Sequence, residues 1–415
     1  VAADLVDRLT TQRNTLLRYR YDNPDDARLR PTVVLYHNVT DSDEQRLADG
    51  RRDQTQLETT GLDARNSMSF GQASPLGQTL TYGFDYYRNQ ASATRDGATR
   101  DSYPDAQADV LGFYAQDEIV ISDRWLITPG LRWDRYHSES DTGAADDQDE
   151  SELSKKLGLG VRVASWVSLH AAYNEAFRAP DLTELFVSGT HFTCGPGCAN
   201  LFAPNPNLQP EKAKNKEISA RLRRDNLFAT GDQGRFRATY FRNNVDDFID
   251  SIVIFSPRPV PGNPGPGGVT TNQNVRDAEL TGFEVELAYD APGWYAGLAY
   301  SQTRGDNAET GEPLSDIPAD SWIVQAAFRF PAQQLTLGGQ TQIVADQNRV
   351  PVGGEPTHGY TVHNLNLNWV PQQGAFKGLR VDAGIDNLTD VDYRQHLSLL
   401  QAPGRNLKAS LSYLF

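Results

Sequence analysis

The residues of this sequence that are best suited to chemistry lie in its longest predicted loop, residues 179–213. This segment holds His191, Cys194 and Cys198 and contains neither tyrosine nor methionine. If the loop offers a side-chain ligand to a transition metal, the imidazole of His191 is the natural donor, provided that the two cysteines are paired with each other. A single loop histidine is also an ordinary surface residue in most proteins, so the residues alone leave both interpretations open.

Cys194 and Cys198 are the only cysteines of the chain, and the Gly-Pro-Gly sequence between them gives the flexible interior that a small ring needs. This spacing favours a local disulfide in an oxidising compartment, with a free thiol pair as the alternative. A disulfide here either stiffens the loop tip just beyond His191 or only protects an exposed loop from proteolysis.

Two short boxes bound this loop, within the stretches 174–180 and 205–211, which contain prolines and asparagines. Proline fixes the backbone, and asparagine side chains bond to their own backbone in turns, so the boxes are expected to give rigid ends to a mobile loop. Their residues are Phe177, Arg178, Ala179 and Pro180 at the start, and Asn205, Pro206, Asn207 and Leu208 at the end.

Other chemistry is poorly represented in the sequence. The patterns G-x-S-x-G, H-E-x-x-H, G-x-x-x-x-G-K and G-x-G-x-x-G do not occur, so we do not expect an enzyme. The net charge of −15 argues against a nucleic-acid partner. The acidic stretch 139–152 has carboxylates suited to a hard cation but no EF-hand spacing, and we interpret it as a solvated surface loop. We interpret the other histidines as incidental: His37, His137, His170, His358, His363 and His396.

The segments outside this loop, which must position it, show the alternation of apolar and polar residues that is typical of β-strands. At the end of the chain Leu407, Ala409, Leu411, Tyr413 and Phe415 alternate with polar residues, with Leu414 as the exception. Apolar residues make up 38% of the sequence, and no run of about 18 apolar residues occurs that would cross a membrane as a helix. Alternating strands with an apolar outer face are typical of an outer-membrane β-barrel, in which average hydropathy hides the spans.

The connections between the predicted strands alternate between short and long. Short turns such as 121–124 and 290–293 alternate with long loops at 41–53, 91–106, 139–151, 179–213 and 247–271. This asymmetry favours a barrel with short periplasmic turns and long extracellular loops over a soluble sandwich. We therefore predict an all-β, antiparallel transmembrane β-barrel over residues 1–415, with 179–213 as an extracellular ligand loop.

About 17 strands are predicted, whereas single-chain bacterial barrels have an even number. The chain also starts at Val1, without an initiator methionine or a signal peptide. We therefore expect an N-terminally incomplete barrel whose first strand lacks a neighbour.

The two boxes resemble those of TonB-dependent outer-membrane receptors, specifically the haem/haemoglobin receptor family. The strand Thr281-Gly282-Phe283-Glu284-Val285-Glu286 and the end from Asp386-Asn387-Leu388 to Phe415 resemble the family as well. The boxes, this strand and the terminal phenylalanine are widespread in the superfamily, whereas a histidine between the boxes narrows the resemblance to the haem branch.

The resemblance implies that His191 is an axial ligand of haem iron, since haem accepts an axial imidazole readily. It implies a barrel of 22 strands, of which about 17 strands are predicted here. It also implies a plug domain that is not in this sequence and would contact the TonB complex. A second axial ligand is not assigned.

The resemblance further implies a receptor in the bacterial outer membrane, in contact with its lipid, that captures haem from solution or from a haem-carrying protein. Haem would be the transported ligand, imported into the periplasm with energy supplied through TonB, and no cofactor would be bound permanently. The alternative is a TonB-dependent ferric-siderophore receptor, which needs no loop histidine because the chelator fills the coordination sphere of the iron. A passive porin or an outer-membrane enzyme is the lesser alternative.

Overall fold

The computed structural model describes residues 5–23, 25–72, 74–100, 103, 105–140, 147–274, 277–398 and 400–414. These residues form 22 strands, one short helix and one 3₁₀ turn at Gly374–Phe376. The strands are β1 Val6–Arg20, β2 Thr32–Arg46, β3 Arg52–Phe70, β4 Leu76–Arg95, β5 Ala98–Thr99, β6 Ala106–Ile121, β7 Trp125–Ser140, β8 Gln148–Ala164, β9 Val167–Arg178, β10 Gly189–Gly195, β11 Cys198–Phe202, β12 Glu211–Asp225, β13 Gln233–Asp246, β14 Ile249–Ile254, β15 Val269–Asn274, β16 Ala278–Ala291, β17 Trp294–Asn307, β18 Ser321–Phe330, β19 Leu335–Val344, β20 Tyr360–Trp369, β21 Leu379–Asp386 and β22 Asn406–Tyr413; helix α1 is Leu182–Phe186.

The expected number of about 17 strands is wrong, because the described residues form 22. The five further strands, β5, β10, β11, β14 and β15, are two to seven residues long and lie in segments that the sequence predicted as loops. These short strands lack the sustained apolar–polar alternation by which the long strands were predicted. The expected fold, with about 17 strands present and the plug domain absent, is therefore contradicted by the 22 described strands.

The structure divides into two compact units, and the first contains residues 1–158, 173–214 and 245–277. In this unit β1, β2, β3, β4, β6 and β7 pair in that order as antiparallel neighbours. Their register places like side chains opposite each other, as at Phe113 and Trp133. A separate four-stranded sheet in this unit has the order β10-β11-β15-β14.

The second unit contains residues 159–172, 215–244 and 278–415. Here β16 to β22 pair in sequence order, each strand antiparallel to the next. Leu407 lies opposite Ile385, and Leu411 lies opposite Val381. The Phe415 side chain of the predicted alternation lies outside the described residues.

One face of the strands β16 to β22 is apolar and exposed, while polar residues occupy the other, as with Gln340 opposite Asn364. Large apolar side chains that remain exposed in this regular way indicate a surface that faces lipid. They include Phe283, Leu287, Trp294, Trp322, Val324, Phe328, Leu337, Ile343, Leu365, Leu407 and Leu411.

Among the described residues no helix has the length and apolar character needed to cross a membrane.

The main hydrophobic cluster lies in the first unit, where α1 and the loop segments pack against the ends of three long strands. The strands contribute mostly small side chains, which leave room for the leucines and phenylalanine of the loop. The cluster consists of Ala91, Ala106, Ala108, Val110, Tyr136, Leu182, Leu185, Phe186, Leu208 and Ile249. The candidate ligand loop is therefore packed at its base against the strands that carry it.

Candidate functional site

Helix α1 anchors the start of the candidate loop. Asp181 caps the helix by accepting a hydrogen bond from the backbone N–H of Glu184 at 2.8 Å, and the Glu184 carboxylate accepts one from the backbone N–H of Asp181 at 2.8 Å. This reciprocal capping box satisfies two backbone donors that a helix start leaves without partners. Leu185 is fully buried, so the helix cannot leave the cluster without exposing it.

The first box joins the end of β9 to the strands around it. The Tyr136 hydroxyl donates a hydrogen bond to the carbonyl oxygen of Pro180 at 2.9 Å. Phe177 and Ala179 pack against the hydrophobic cluster, and the Pro180 side chain is fully buried. The apolar members of this box therefore act in packing.

Arg178 connects the first box to the segments that follow it. Its Nε donates to Glu211 at 2.6 Å, and its two terminal nitrogens donate to Glu184 at 2.9 and 3.1 Å. The other Glu211 oxygen accepts from the backbone N–H of Ile249 at 2.9 Å. One guanidinium thus links the end of β9, helix α1 and the start of β12, and Glu211 extends the link to β14.

The second box is held by hydrogen bonds to its backbone and by burial of its leucine. Leu208 is fully buried, and its carbonyl oxygen accepts from the Gln148 side chain at 3.0 Å. The same amide group donates to the carbonyl oxygen of Pro206. The backbone N–H of Asn207 donates to the Asn205 side chain at 3.2 Å, which closes a local turn.

A second loop, residues 247–277, is bonded to the first along its length. Strands β11 and β15 pair in parallel, with Leu201 opposite Val269. The side chain of Asn205 donates to the carbonyl oxygen of Asn272 at 2.8 Å. Gly267 has a φ of +123° and lies so close to Ala199 that an added Cβ would be 2.2 Å from its carbonyl oxygen. The two loops therefore form one folded body.

Sequence reasoning assigned 247–271 to an exposed loop and missed this second half of the site. The signal was present, because Ile249, Ile252, Val253 and Ile254 form a β-branched run of the kind found in strands. The Gly/Pro-rich segment that follows masked it.

His191 lies on β10 at a β-bulge. Thr190 pairs with Leu201 and Phe192 pairs with Asn200, so His191 has no partner on β11. A bulge redirects the side chain of the extra residue, and bulges are enriched next to functional sites. The exposed imidazole lies 4.3 Å from the Phe202 ring and 5.0 Å from the Phe192 ring, measured between ring centres.

The Nδ1 atom of His191 lies 2.9 Å from the Thr270 hydroxyl, whereas none of the described hydrogen bonds involves Nε2. Thr270 was not singled out by the sequence. The arrangement presents one ring nitrogen next to two aromatic rings, and this combination suits a flat apolar ligand with a metal centre.

Cys194 and Cys198 form a disulfide at the tip of the β10–β11 hairpin, with their Cα atoms 5.1 Å apart. Cys194 and the glycines between the pair are exposed, and Gly197 has a φ of +72°, which suits the tight turn. The bridge ties together the two strands that carry His191 and Asn200.

The other candidates of the sequence do not converge on a site. Within the described residues no group of three or more His, Cys, Asp or Glu side chains is arranged to hold a metal ion. In the acidic stretch, Asp149 pairs with Arg135 at 2.5 Å and Glu152 pairs with Lys212 at 2.7 Å, whereas residues 141–146 lie outside the described residues.

A cavity of about 990 Å³ lies beside the first box rather than beside His191. Tyr87, Tyr103, Arg132 and Phe177 contribute to its lining. Burial raises the pKa of the Tyr103 phenol, and the nearby Asp181 carboxylate raises it further. The tyrosine therefore stays neutral at physiological pH.

Comparison with known proteins gives relatives along nearly the whole chain. The heme/hemopexin utilization protein C of Haemophilus influenzae is 35% identical over 430 residues, and the hemin receptor of Yersinia enterocolitica is 30% identical over 420 residues. Each alignment covers 99% of this chain, and 58% and 59% of the two relatives. The chain therefore spans less than two thirds of the length of these proteins.

Solved structures show the same fold. A double mutant of the Serratia marcescens hemophore receptor HasR, solved with its hemophore HasA and heme, superposes with a TM-score of 0.82 at 21% identity, covering 99% of this chain and 66% of that one. The copper transporter OprC gives a TM-score of 0.79 at 21% identity, with the same coverage. At these identities the likeness concerns the fold alone.

A family model described as "TonB dependent receptor-like, beta-barrel" matches residues 2–388. This match agrees with the strands of alternating apolar and polar residues, with the two loops bonded to each other, and with the two relatives at 30% identity or more. The chain therefore belongs to the TonB-dependent receptor β-barrel family of the bacterial outer membrane.

Proposed function

We propose that this protein is an outer-membrane receptor that captures haem at the cell surface and imports it into the periplasm with energy supplied through TonB. Loop 179–213 is the extracellular ligand loop, and His191 is an axial ligand of the haem iron. Haem is the transported ligand rather than a resident cofactor, and it arrives free or on a haem-carrying protein.

The observation that carries the proposal is the geometry of His191. The imidazole stands on a bulge, its Nδ1 side is occupied by Thr270, and Phe192 and Phe202 flank the ring. A haem that approaches this surface would meet an imidazole nitrogen for its iron and aromatic side chains for its apolar faces. The names of the two relatives, a heme/hemopexin utilization protein and a hemin receptor, support the same ligand.

A ferric siderophore is the competing ligand, and the loop geometry supports haem over it. A chelated iron has no open coordination position, so a siderophore would gain little from a histidine with one ring nitrogen left open. A receptor for haem needs such a nitrogen.

The test is a haemin titration of the purified full chain in detergent, followed by the Soret band. The wild type is expected to give the spectrum of imidazole-ligated haem, and His191→Ala is expected to lose it. His358→Ala is the matched control, because His358 is fully exposed elsewhere on the chain. An unchanged spectrum for His191→Ala would refute the ligand assignment.

A growth experiment tests the transport step. A strain that lacks the gene should fail to grow on haem as its only iron source and should grow normally on ferric siderophores. The opposite pattern would show that the imported ligand is a siderophore.

A further inference from the structure

A chain of three hydrogen bonds runs behind His191. The Asn200 side-chain amide donates to the carbonyl oxygen of Gly267 at 2.9 Å. The Thr270 hydroxyl donates to the side-chain oxygen of Asn200 at 2.5 Å, and the same hydroxyl oxygen lies 2.9 Å from Nδ1 of His191. Asn200 and Thr270 are both completely buried, so water does not compete for these groups.

The position of each hydrogen atom in this chain follows from the chemistry of its groups. A carbonyl oxygen only accepts, so the Gly267 contact requires the NH₂ group of Asn200 and directs its oxygen towards Thr270. A hydroxyl has one hydrogen, and Thr270 uses it on Asn200. The Thr270 oxygen is then left as an acceptor, so in the neutral imidazole of His191 Nδ1 must carry the proton and Nε2 must carry the lone pair.

His396 in the second unit shows the opposite arrangement. Its Nε2 lies 3.3 Å from the carbonyl oxygen of Ser315, so this nitrogen must carry the proton. Its Nδ1 then accepts from the Thr357 hydroxyl at 2.8 Å. Both nitrogens of His396 are occupied, and a threonine beside an imidazole does not by itself select the tautomer. The selection at His191 comes from Asn200 acting through Thr270.

We propose that Thr270 and Asn200 are positioning residues that hold His191 in the Nδ1–H tautomer and so make Nε2 the atom that binds iron. The inference rests on the proposed function for the identity of the ligand. A histidine whose other nitrogen donates a hydrogen bond is fixed in orientation and is a better metal donor, and loss of such a partner typically lowers metal affinity 10- to 100-fold. Neither residue touches the haem; both act through the imidazole.

The fold explains why the loop alone does not suffice for this arrangement. His191 and Asn200 belong to the first loop, whereas Thr270 and Gly267 belong to the second. The parallel pairing of β11 with β15, where Phe202 lies opposite Thr270, brings the hydroxyl to the imidazole. The second loop thus contributes to the ligand site without binding the ligand.

The first experiment needs no haem. Full-length protein labelled with ¹⁵N-histidine is purified in detergent, and the two ring nitrogens of His191 are observed by NMR, with His191→Ala used for assignment. Nδ1 is expected to carry the proton and Nε2 to be unprotonated in the wild type. In Thr270→Val this preference should disappear, and in Thr270→Ser, which keeps the hydroxyl, it should remain.

The second experiment measures haemin affinity of the same variants. Thr270→Val is expected to bind 10- to 100-fold more weakly, whereas Thr270→Ser should stay within about threefold of the wild type. Thr341→Val is the matched control, because Thr341 contacts Nδ1 of His363 at 2.9 Å on strands of the second unit. Its haemin affinity should not change.

Two results would overturn the proposal on its own terms: a neutral His191 ring whose single proton lies on Nε2 in the wild type, or wild-type haemin affinity in Thr270→Val. Failure of the proposed function gives a different pattern, in which the NMR signals show the expected tautomer but His191→Ala binds haemin normally. In that case the hydrogen-bond chain exists, and its role in iron binding is refuted together with the ligand assignment.

Discussion

Replacement of Arg178 by methionine should release the base of loop 179–213 while leaving the strands intact. Among the described hydrogen bonds, Arg178 alone bonds to both Glu184 on α1 and Glu211 at the start of β12, with distances of 2.6 to 3.1 Å. Methionine keeps much of the apolar stem and removes only the charged head. The variant therefore isolates the ionic contacts from the packing.

The magnitude follows from the burial of the three groups. The Glu211 side chain is 11% exposed and would lose its only cationic partner among the described ion pairs, which costs about 3–5 kcal/mol for a fully buried pair. The Arg178 side chain is 44% exposed, so solvent screening reduces this figure. We expect the opening free energy of the loop base to fall by about 2–3 kcal/mol, which corresponds to an approximately 30- to 150-fold faster exchange of its amides.

Native-state hydrogen exchange measures this opening directly. The informative amides are those of Leu185 and Val187, which donate within α1 at 3.1 and 3.2 Å, and that of Asn205, which donates to the Leu185 carbonyl at 3.0 Å. Exchange in the paired strands should not change, because these strands do not depend on Arg178.

Arg135→Met is the matched control. Arg135 makes a similar fork to Asp149, at 3.0 and 2.5 Å, but both side chains are about half exposed. Such exposed pairs contribute less than about 1 kcal/mol. If Arg178→Met accelerates exchange no more than Arg135→Met does, the argument that the partly buried ion pairs of Arg178 hold the loop base closed is refuted. In the double variant Arg178→Met/Glu211→Gln, the loss of opening free energy should be smaller than the sum of the losses in the two single variants, because the two residues contact each other.

Three further predictions concern other parts of the fold. Leu185→Ala should destabilise the packed loop base by about 2–5 kcal/mol in hydrogen exchange, because its side chain is fully buried. Burial raises the pKa of Asp232, which lies in the turn before β13. Hydrogen bonds from Tyr289 and from the backbone N–H groups of 227–229 outweigh this effect, so the pKa of Asp232 is lowered. Because its pKa is lowered, the ionised carboxylate stabilises the folded turn above about pH 4, and this stabilisation is lost as the pH falls through the pKa of the folded state. Protection of the 227–229 amides against exchange should therefore decrease only in acid. Reduction of Cys194–Cys198 should increase proteolysis of the hairpin tip without unfolding the strands, since the bridge closes a ring with a sequence separation of only 4.

Each of these has a result that would contradict it. Val352→Ala, at a side chain that is 90% exposed, is the control for Leu185→Ala, and equal effects would deny the packing argument. Protection of 227–229 that is independent of pH, or is lost on raising it, would contradict the account of Asp232. Global unfolding on reduction would show that the disulfide supports more than the hairpin.

The long strands were predictable because their signal is local. In Leu407–Tyr413 every second side chain is apolar, and the structure places Leu407 and Leu411 on the exposed face, opposite Ile385 and Val381. A strand with one face towards lipid shows the alternation in its own sequence, so it can be predicted without knowing its neighbours in the sheet.

The internal structure of the loops was harder to predict because it depends on distant partners. The pairing of Leu201 with Val269 joins two loops that are separated by two long strands, and no local pattern specifies it. Helix α1 is a different case, since Asp181 and Glu184 have the spacing of a capping box, and this signal was overlooked in a segment read as a loop.

The candidate site was half predictable for the same reason. His191 stood out because a histidine between two boxes is visible in one stretch of sequence. Asn200 and Thr270 did not, because their importance lies in a hydrogen bond across 70 residues. The boxes were recognised as rigid ends, but the partners of Arg178 became visible only with the fold.

The shared sheet of the two loops has a consequence for anyone who builds chimaeric receptors. A graft that transfers only residues 179–213 to another scaffold would carry β10 and β11 without β15, and would leave the imidazole without its hydroxyl neighbour. Since the parallel pair needs both β11 and β15, the transplantable module is 179–213 together with 247–277. Ligand specificity in such hybrids should follow the pair of loops and not either one alone.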